Sequence, residues 1–355
     1  MKRDLPNDGE LLSSQLVHIE PMPSPDEVRS SLPLTDRALT TVLSGRHALS
    51  NILDGHDPRL AVIVGPCSIH DTVAGLDYAR RLKALADELA SRLYLVMRVY
   101  FEKPRTSIGW KGLINDPHMD GSCQIAEGMA RARRFLLDVN ELGLPAATEA
   151  LDPLSPHYLS ELVSWTAIGA RTTESQTHRE MSSGLAMPVG FKNGTDGNVD
   201  TAVNAIIAAG RSQAFLGIDP TGRAAVLRTP GNRYAHLVLR GGGGRPNYDS
   251  VSVTLAEQAL QKAGQKARIV VDCAHANSWK KQELQAAVLT DVVHQRQRGN
   301  RSITGVMIES FIEPGNQSIP ADLSQLRYGC SVTDSCVGWA DTEAMLRKAY
   351  AALGA

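Results

Sequence analysis

The run LYLVM at residues 93–97, continuing from Arg98 as RVYFEKPRTSIGWKGLINDPHMD to residue 120, decides the fold. Its first five residues are apolar on both faces, as in a parallel strand covered on both sides. Where that strand ends, the composition switches to Arg98, Glu102, Lys103, Arg105 and Lys111, interrupted by Pro104 and Gly109. Charges and turn residues at a strand's carboxyl end build no core. Arginine and lysine there suit a phosphate or carboxylate ligand. A solvated loop of the same composition is the alternative, and the recurrence of the same event along the chain decides against it.

Before this stretch, residues 60–64 (LAVIV) read as a strand ended by GPCS, and Leu76, Ala79, Leu82, Ala86 and Leu89 then line one helical face. After it, Ile125, Met129, Ala132, Leu136 and Val139 repeat the helical spacing. Further strands are expected at 145–149, 166–170, 188–191, 237–239, 268–271 and 305–308, and helices at 176–185, 198–209, 251–263, 280–297 and 341–353. Asp152-Pro153 reads as an N-cap with proline in the first turn of one more helix. Eight strands alternating with helices predict an α/β chain folded as a (β/α)8 TIM barrel. A doubly wound open sheet is the alternative, but no GxGxxG fingerprint supports it. Residues 213–230 break the alternation and read as a β-hairpin inserted before the sixth strand, turning at Asp219-Pro220-Thr221-Gly222. Residues 1–58 are expected to form an N-terminal arm with a helix at 36–54, making oligomer or regulatory contacts, ahead of a catalytic barrel at 59–355.

Among the 355 residues, 37 basic side chains balance 38 acidic ones, so no field of one sign exists to attract nucleic acid or an anionic membrane. The start of the chain has no apolar signal region and no long apolar run follows, which predicts a cytoplasmic protein. Cys67, Cys123, Cys273, Cys330 and Cys336 are too few and too scattered for a disulfide framework. Free thiols are expected, one of them a potential metal ligand.

In a barrel the chemistry sits at the carboxyl ends of the strands. In order, those ends carry Cys67; Arg98 with Lys103, Arg105 and Thr106; Glu149; Arg171; Lys192; Arg240; Asp272 and His275; Glu309; and, in the following loop, Asp334. Arg98, Lys103, Arg105, Arg171, Lys192 and Arg240 form a cationic set in an otherwise neutral protein, suited to a ligand with several anionic groups. Cys67, His275, Glu309 and Asp334 offer sulfur, nitrogen and oxygen donors, a mixture that suits Mn2+, Fe2+, Co2+ or Zn2+ better than Mg2+.

The stretches VIVGPCSIHD (62–71), RVYFEKPRTSIGWKGLINDPHMD (98–120), AIGARTTESQTHRE (167–180), PVGFKNGTDG (188–197), DCAHANSWK (272–280), GVMIES (305–310) and SVTDSCVGW (331–339) closely resemble class I 3-deoxy-D-arabino-heptulosonate 7-phosphate (DAHP) synthases. The resemblance runs from about residue 60 to the end of the chain. It implies condensation of phosphoenolpyruvate with erythrose 4-phosphate, the first step of the shikimate pathway. It assigns Arg98, Glu149, Arg171, Lys192 and Arg240 to phosphoenolpyruvate, Lys103, Arg105 and Thr106 to erythrose 4-phosphate, and the four mixed donors to a divalent metal. Lys103 is a candidate proton carrier beside Cys67, His275 and Asp334. Cys336, two residues beyond Asp334, is a candidate disulfide partner for Cys67 in the metal-free protein. One departure is the run of four glycines and Arg245 after Arg240, longer than the family's usual turn.

By the same resemblance the enzyme is a homodimer or homotetramer inhibited by an aromatic amino acid, tyrosine being favoured by ATEALDPLSPHY at 147–158. The inhibitor pocket would involve Asp152, Pro156 and His157, Met181, Leu185 and Ala186, and Phe215 and Gly217 of the hairpin, with a neighbour's arm. Gly217 is expected to leave room near a ring, whereas Ala186 stands where a serine is usual. Two rivals are weighed: the related synthase that uses arabinose 5-phosphate, and a phosphometabolite-binding barrel without turnover.

Overall fold

The computed structural model describes residues 18–105 and 108–354. The strands are β1 (Leu60–Gly65), β2 (Leu93–Arg98), β3 (Ala146–Glu149), β4 (Trp165–Ile168), β5 (Val189–Lys192), β6 (Gln213–Ile218), β7 (Ala224–Thr229), β8 (Ala235–Leu239), β9 (Ile269–Asp272) and β10 (Ile303–Glu309). The helices are α1 (Pro25–Ser31), α2 (Asp36–Asp54), α3 (Thr72–Glu88), α4 (Ile125–Glu141), α5 (Ser155–Leu159), α6 (Gln176–Ser183), α7 (Asp200–Ala209), α8 (Ser250–Lys262), α9 (Gln285–Gln297) and α10 (Trp339–Ala352).

Eight parallel strands close in the order β1-β10-β9-β8-β5-β4-β3-β2, and β6 and β7 pair antiparallel outside them. The expected (β/α)8 barrel with an inserted hairpin is what forms. Strand β1 is buried at every position, because helices cover one face and the barrel lumen lies on the other. Ile63, Val96, Ala147, Trp165, Val238, Val270 and Met307 pack together in the lumen, and Leu49 and Ile52 of α2 join them. Helix α2 therefore plugs the amino end of the barrel, and the carboxyl end stays open. The helix expected at 36–54 thus serves as the barrel's floor.

Three expectations change. The helix read from Asp152-Pro153 begins later, at Ser155, and the proline of its first turn is Pro156. Asp152 instead bonds the Leu154 N–H at 2.7 Å, forming a turn ahead of the helix. The pattern read as one helix at 280–297 is a 3-10 turn, Gln282–Leu284, followed by α9, and another 3-10 turn, His275–Ser278, precedes it. Lys280 holds φ at 59°, and His275 and Trp279 just before it hold 56° and 54°, which a continuous helix excludes. Finally, α1 lies inside the stretch read as plain arm. Its signal was present as Ser24-Pro25-Asp26-Glu27, which forms a complete capping box. The described arm folds onto its own chain: Tyr158 Oη donates to the Pro23 carbonyl, and the Asp26 N–H to the Pro220 carbonyl at the hairpin tip.

Candidate active site

The loop after β2 folds back across the open end of the barrel. Lys103 N–H bonds the Lys111 carbonyl at 2.8 Å, Arg105 Nε donates to the Trp110 carbonyl, and Trp110 Nε1 donates to the Asp116 carbonyl. The return needs Gly112: with φ at 112°, its ideal Cβ would meet the Phe101 carbonyl oxygen at 2.0 Å. The return brings Lys103 to the mouth cavity beside Cys67.

Arg98, Lys103, Arg105, Glu149, Arg171, Lys192, Arg240, His275 and Asp334 all line one cavity of about 340 Å3 at the barrel mouth. Residues from three strands and five loops thus converge, as their positions at or just beyond the strand ends predict. Thr106 lies outside the described residues. Arg245, on the lengthened glycine turn, is exposed and does not line the cavity. Gly169 lets Glu149 into the wall, since a Cβ there would sit 2.4 Å from Glu149 Oε1.

The cations are held by partners that sequence order hides. Arg98 is 1% exposed and donates from Nη2 to Glu309 Oε1 at 2.8 Å and from Nε to the Pro66 carbonyl at 3.1 Å. Its guanidinium lies 3.6 Å from the Tyr100 ring centroid, while Nη1 is buried with no hydrogen-bond partner among the described residues. A buried donor of that kind is costly unless a ligand accepts from it. Lys192 Nζ donates to Asp272 Oδ2 at 2.9 Å, and His275 Nδ1 is also 2.9 Å from that oxygen. Burial alone would raise the Asp272 carboxyl, but His275 and Lys192 draw it well below the usual range. The buried Lys192–Asp272 pair was not foreseen: Asp272 stood out as a strand end, yet nothing in the sequence joins it to a residue 80 positions earlier.

Lys103 Nζ donates to Cys67 Sγ at 3.0 Å. Burial would depress the lysine, but the sulfur and the carboxylates of Glu309 and Glu149 more than offset it, so the ammonium persists above its ordinary range. The Cys67 thiol is pushed up by burial and by Glu309. Asp334 opens to the cavity among protein groups whose enclosure would raise it, and Lys103 and His275 outweigh this to lower it. Burial lowers Arg240.

Cys67 Sγ and one carboxylate oxygen each of Glu309 and Asp334 lie within 4.8 Å of one another. Donors about 2.0–2.3 Å from one ion stand up to roughly 4.6 Å apart, so these three fit a shared divalent metal with small adjustment. A thiolate with two carboxylates is a borderline-soft set of the kind that takes Mn2+, Fe2+, Co2+ or Zn2+. His275, the fourth candidate, stands outside this group and against Asp272.

The candidate regulatory residues occupy the flank. Pro156 and Leu185 line a cavity of about 20 Å3 together with Glu102 and Glu149, so this small space reaches the wall of the mouth. Asp152 lines a separate cavity of about 500 Å3 with Glu102, Tyr158, arm residues and the hairpin tip. Met181 is buried, Ala186 exposed, and Phe215 pairs with Leu227 across the hairpin. The room expected beside Gly217 is taken: a Cβ there would meet Leu227 Cδ1 at 2.5 Å, with His157 Nε2 3.6 Å away.

A barrel whose mouth concentrates cations above a cluster of metal-type donors defines a class, the TIM-barrel enzymes that handle small polyanions. Comparison with known proteins narrows the class. The DAHP synthetase I family model matches residues 33–347. The chain is 51% identical over 350 residues to the Tyr-sensitive phospho-2-dehydro-3-deoxyheptonate aldolase of Escherichia coli K12, covering 99% of this chain and 97% of that one. It is 51% identical over 334 residues to the Phe-sensitive enzyme of the same strain, covering 94% and 95%. The solved structure of the corresponding aldolase from Francisella tularensis SCHU S4 superposes with a TM-score of 0.93 at 42% identity, covering 96% of this chain and 98% of the other. The chain belongs to the DAHP synthetase I family and is an enzyme of it. The resemblance read from the motifs therefore holds across nearly the whole chain. Among the described residues no helix is long and apolar enough to cross a membrane.

Proposed function

We propose that this enzyme condenses phosphoenolpyruvate with D-erythrose 4-phosphate to give DAHP and inorganic phosphate, the opening step of the shikimate pathway, with a divalent metal as cofactor. The observation that carries the reading is the single cavity that Arg98, Lys103, Arg105, Arg171, Lys192 and Arg240 line together with Asp334 of the thiol–carboxylate cluster. Two phosphorylated substrates repel each other, and the cations offset that repulsion so that both are bound at once. Arg98 Nη1, Arg171, Lys192 and Arg240 take the carboxylate and phosphate of phosphoenolpyruvate, with Glu149 in the same wall. Arg105, Thr106 and Lys103 take erythrose 4-phosphate.

C3 of phosphoenolpyruvate attacks the aldehyde carbon, water adds at C2 and gives one proton to a carboxylate of the site, and phosphate leaves with cleavage of its C–O bond, taking the second proton as the C2 carbonyl forms. Lys103, kept as an ammonium, donates a proton to the alkoxide that forms at the aldehyde oxygen. Cys67, Glu309 and Asp334, with His275 brought in from Asp272, would hold the metal, which supplies Lewis-acid polarisation of the aldehyde when bound. Glu309 is fixed for this by Arg98, the usual role of an outer partner around a ligating group.

Feedback inhibition by an aromatic amino acid, tyrosine in preference, would act from the flank of Asp152, Pro156, His157, Met181, Leu185, Ala186, Phe215 and Gly217. The small cavity shared by Pro156, Leu185 and Glu149 supports a direct path to the substrate wall. The working assembly is a homodimer or homotetramer in the cytoplasm. In the metal-free protein treated with a two-electron oxidant such as hydrogen peroxide, which takes the two electrons and two protons, Cys67 and Cys336 pair as a disulfide; both are buried thiols, and the Cys67 nitrogen lies 3.4 Å from Cys336 Sγ. Thiol titration of oxidised metal-free enzyme is expected to find three thiols, and five would remove the pairing.

The deciding experiment follows phosphoenolpyruvate consumption with erythrose 4-phosphate and Mn2+, with and without EDTA and each aromatic amino acid. Turnover abolished by EDTA and inhibited by one amino acid is expected. No turnover with any of several metals would overturn the reading in favour of a binding barrel, and turnover with arabinose 5-phosphate alone would favour the related synthase.

A further inference from the structure

Glu309 and Asp334 approach the thiol–carboxylate cluster from different segments, β10 and the loop before α10. The barrel ladder ends at Glu309, and beyond it an isolated parallel bridge, Ser310 with Val337, joins the two segments. Both are tied to the short segment Gln282-Glu283-Leu284-Gln285. Gln285 is 1% exposed, and its amide spans the backbone of Glu309: Nε2 donates to the Glu309 carbonyl at 3.0 Å, and Oε1 accepts from the Glu309 N–H at 2.9 Å. Three residues earlier, Gln282 Oε1 accepts from Ser335 Oγ at 2.7 Å, one residue from Asp334.

A primary amide carries a donor nitrogen and an acceptor oxygen side by side, so it can satisfy the N–H and the C=O of one residue together. At Gln285 it does so in a buried place where either group left unmet would cost about 1–3 kcal/mol. The Glu309 carbonyl also accepts from the Val337 N–H at 2.9 Å, which links the same point to the segment carrying Asp334. The two glutamines, Glu309, Asp334 and Ser335 line a cavity of about 520 Å3 that adjoins the substrate cavity, His275, Lys280 and Asp334 lining both. Gln282 and Gln285 line only the former, so the brace touches the donor segments without lining the substrate cavity.

We propose that Gln282 and Gln285 are positioning residues that set the spacing of the Glu309 and Asp334 carboxylates, and with it the affinity of the Cys67–Glu309–Asp334 cluster for a divalent metal. The proposal rests on the metal reading given above. Gln285 carries the larger share, because it holds a ligand's own backbone by two bonds, whereas Gln282 holds a neighbour of a ligand by one.

The test is direct titration of the metal-free full-length enzyme with Co2+, read by the thiolate-to-cobalt absorption band, and with Mn2+, read by electron spin resonance of the free ion. Gln285→Met keeps the side-chain length and removes both bonds; its Co2+ dissociation constant is expected to rise by about 10–100-fold, the usual loss when an outer partner of a metal ligand is removed. Gln282→Met and Ser335→Ala are expected to weaken binding less and by equal amounts, since each removes the same bond. A role in stability alone would lower the unfolding midpoint of the metal-free protein and leave the dissociation constants unchanged, and that result overturns the proposal. Should Gln285→Met fail to fold, Gln285→Glu, which keeps the acceptor, and the Gln282 and Ser335 variants give the same reading. Parent enzyme that binds no metal, or Cys67→Ser that binds it equally well, defeats the metal reading itself and is distinguishable from failure of the brace.

Discussion

The mouth of the barrel and its flank at α5, the arm and the hairpin are built in opposite ways. At the mouth, ionised groups are buried and each is pinned by a specific partner: Arg98 by Glu309, Lys192 by Asp272, Lys103 beside Cys67. The flank is apolar and partly open. Leu216 and Val226, cross-strand partners on the hairpin, are 83% and 62% exposed. Function at the mouth comes from residue type, because charge buried at a strand end has few structural reasons to exist. Function at the flank comes from arrangement, because proline, leucine and phenylalanine mean the same thing in a pocket as in a core.

Changes at the mouth should therefore be severe and specific. Arg98→Met leaves Glu309 buried with no opposing guanidinium, and breaking a buried pair from one side costs about 3–5 kcal/mol. Chemical denaturation in EDTA should show that loss, and activity should fall with it. If stability is unchanged, the pinned-ion description of the mouth fails. Lys103→Met is next. It removes the ammonium over Cys67 and, on the proposed function, should lower kcat by about 10^2–10^4-fold, the range for loss of a positioned proton donor. Stability should be little changed by comparison. A fall in apparent affinity for erythrose 4-phosphate with kcat intact would assign Lys103 to binding alone.

Glu102 lies on the seam between the two regions and sharpens their boundary. It is 4% exposed, follows β2 just ahead of Lys103, and lines both flank cavities. Burial, then the nearby Asp152 carboxylate, pushes its carboxyl from 4.5 up to about 8. The folded state thus keeps a proton that the unfolded chain releases near 4.5, so this group's contribution to stability is full below that pH and is lost as pH rises toward about 8. Glu102→Gln should match the parent near pH 4 and become progressively more stable than it up to pH 8, by denaturant midpoint. A difference that does not vary with pH would mean that Glu102 is ionised in the fold.

The sequence made the barrel and most of the mouth legible for the same reason. Period-two and period-3.6 patterns locate strand ends, and a barrel turns strand ends into one site. Cys67, Glu309 and Asp334, more than 240 positions apart at the extremes, could be grouped on that argument alone. Pairings stayed hidden, since topology says which end a residue occupies and not which neighbour it faces. Thus Arg98 was assigned to substrate and Glu309 to metal, with no hint that they bond each other. Gln285 gave no signal at all, because its work is done on backbone. At the flank, Gly217 misled: a missing Cβ means space only if no neighbour fills it, and Leu227, ten residues on, does.

The smallest effect expected tests the flank from outside. Leu216→Ser with Val226→Ser replaces two exposed apolar side chains on the outer face of the hairpin, away from every residue that lines the mouth. Exposed positions contribute little to the fold of the single chain, so stability of the monomer should move by no more than about 0.5 kcal/mol. If the hairpin's apolar face is where copies meet, sedimentation should show a smaller assembly for the double variant. Turnover without inhibitor should stay at the parental rate. Loss of turnover together with assembly would show that the mouth depends on the flank even when no effector is bound, and the division drawn between the two regions would then have to be given up.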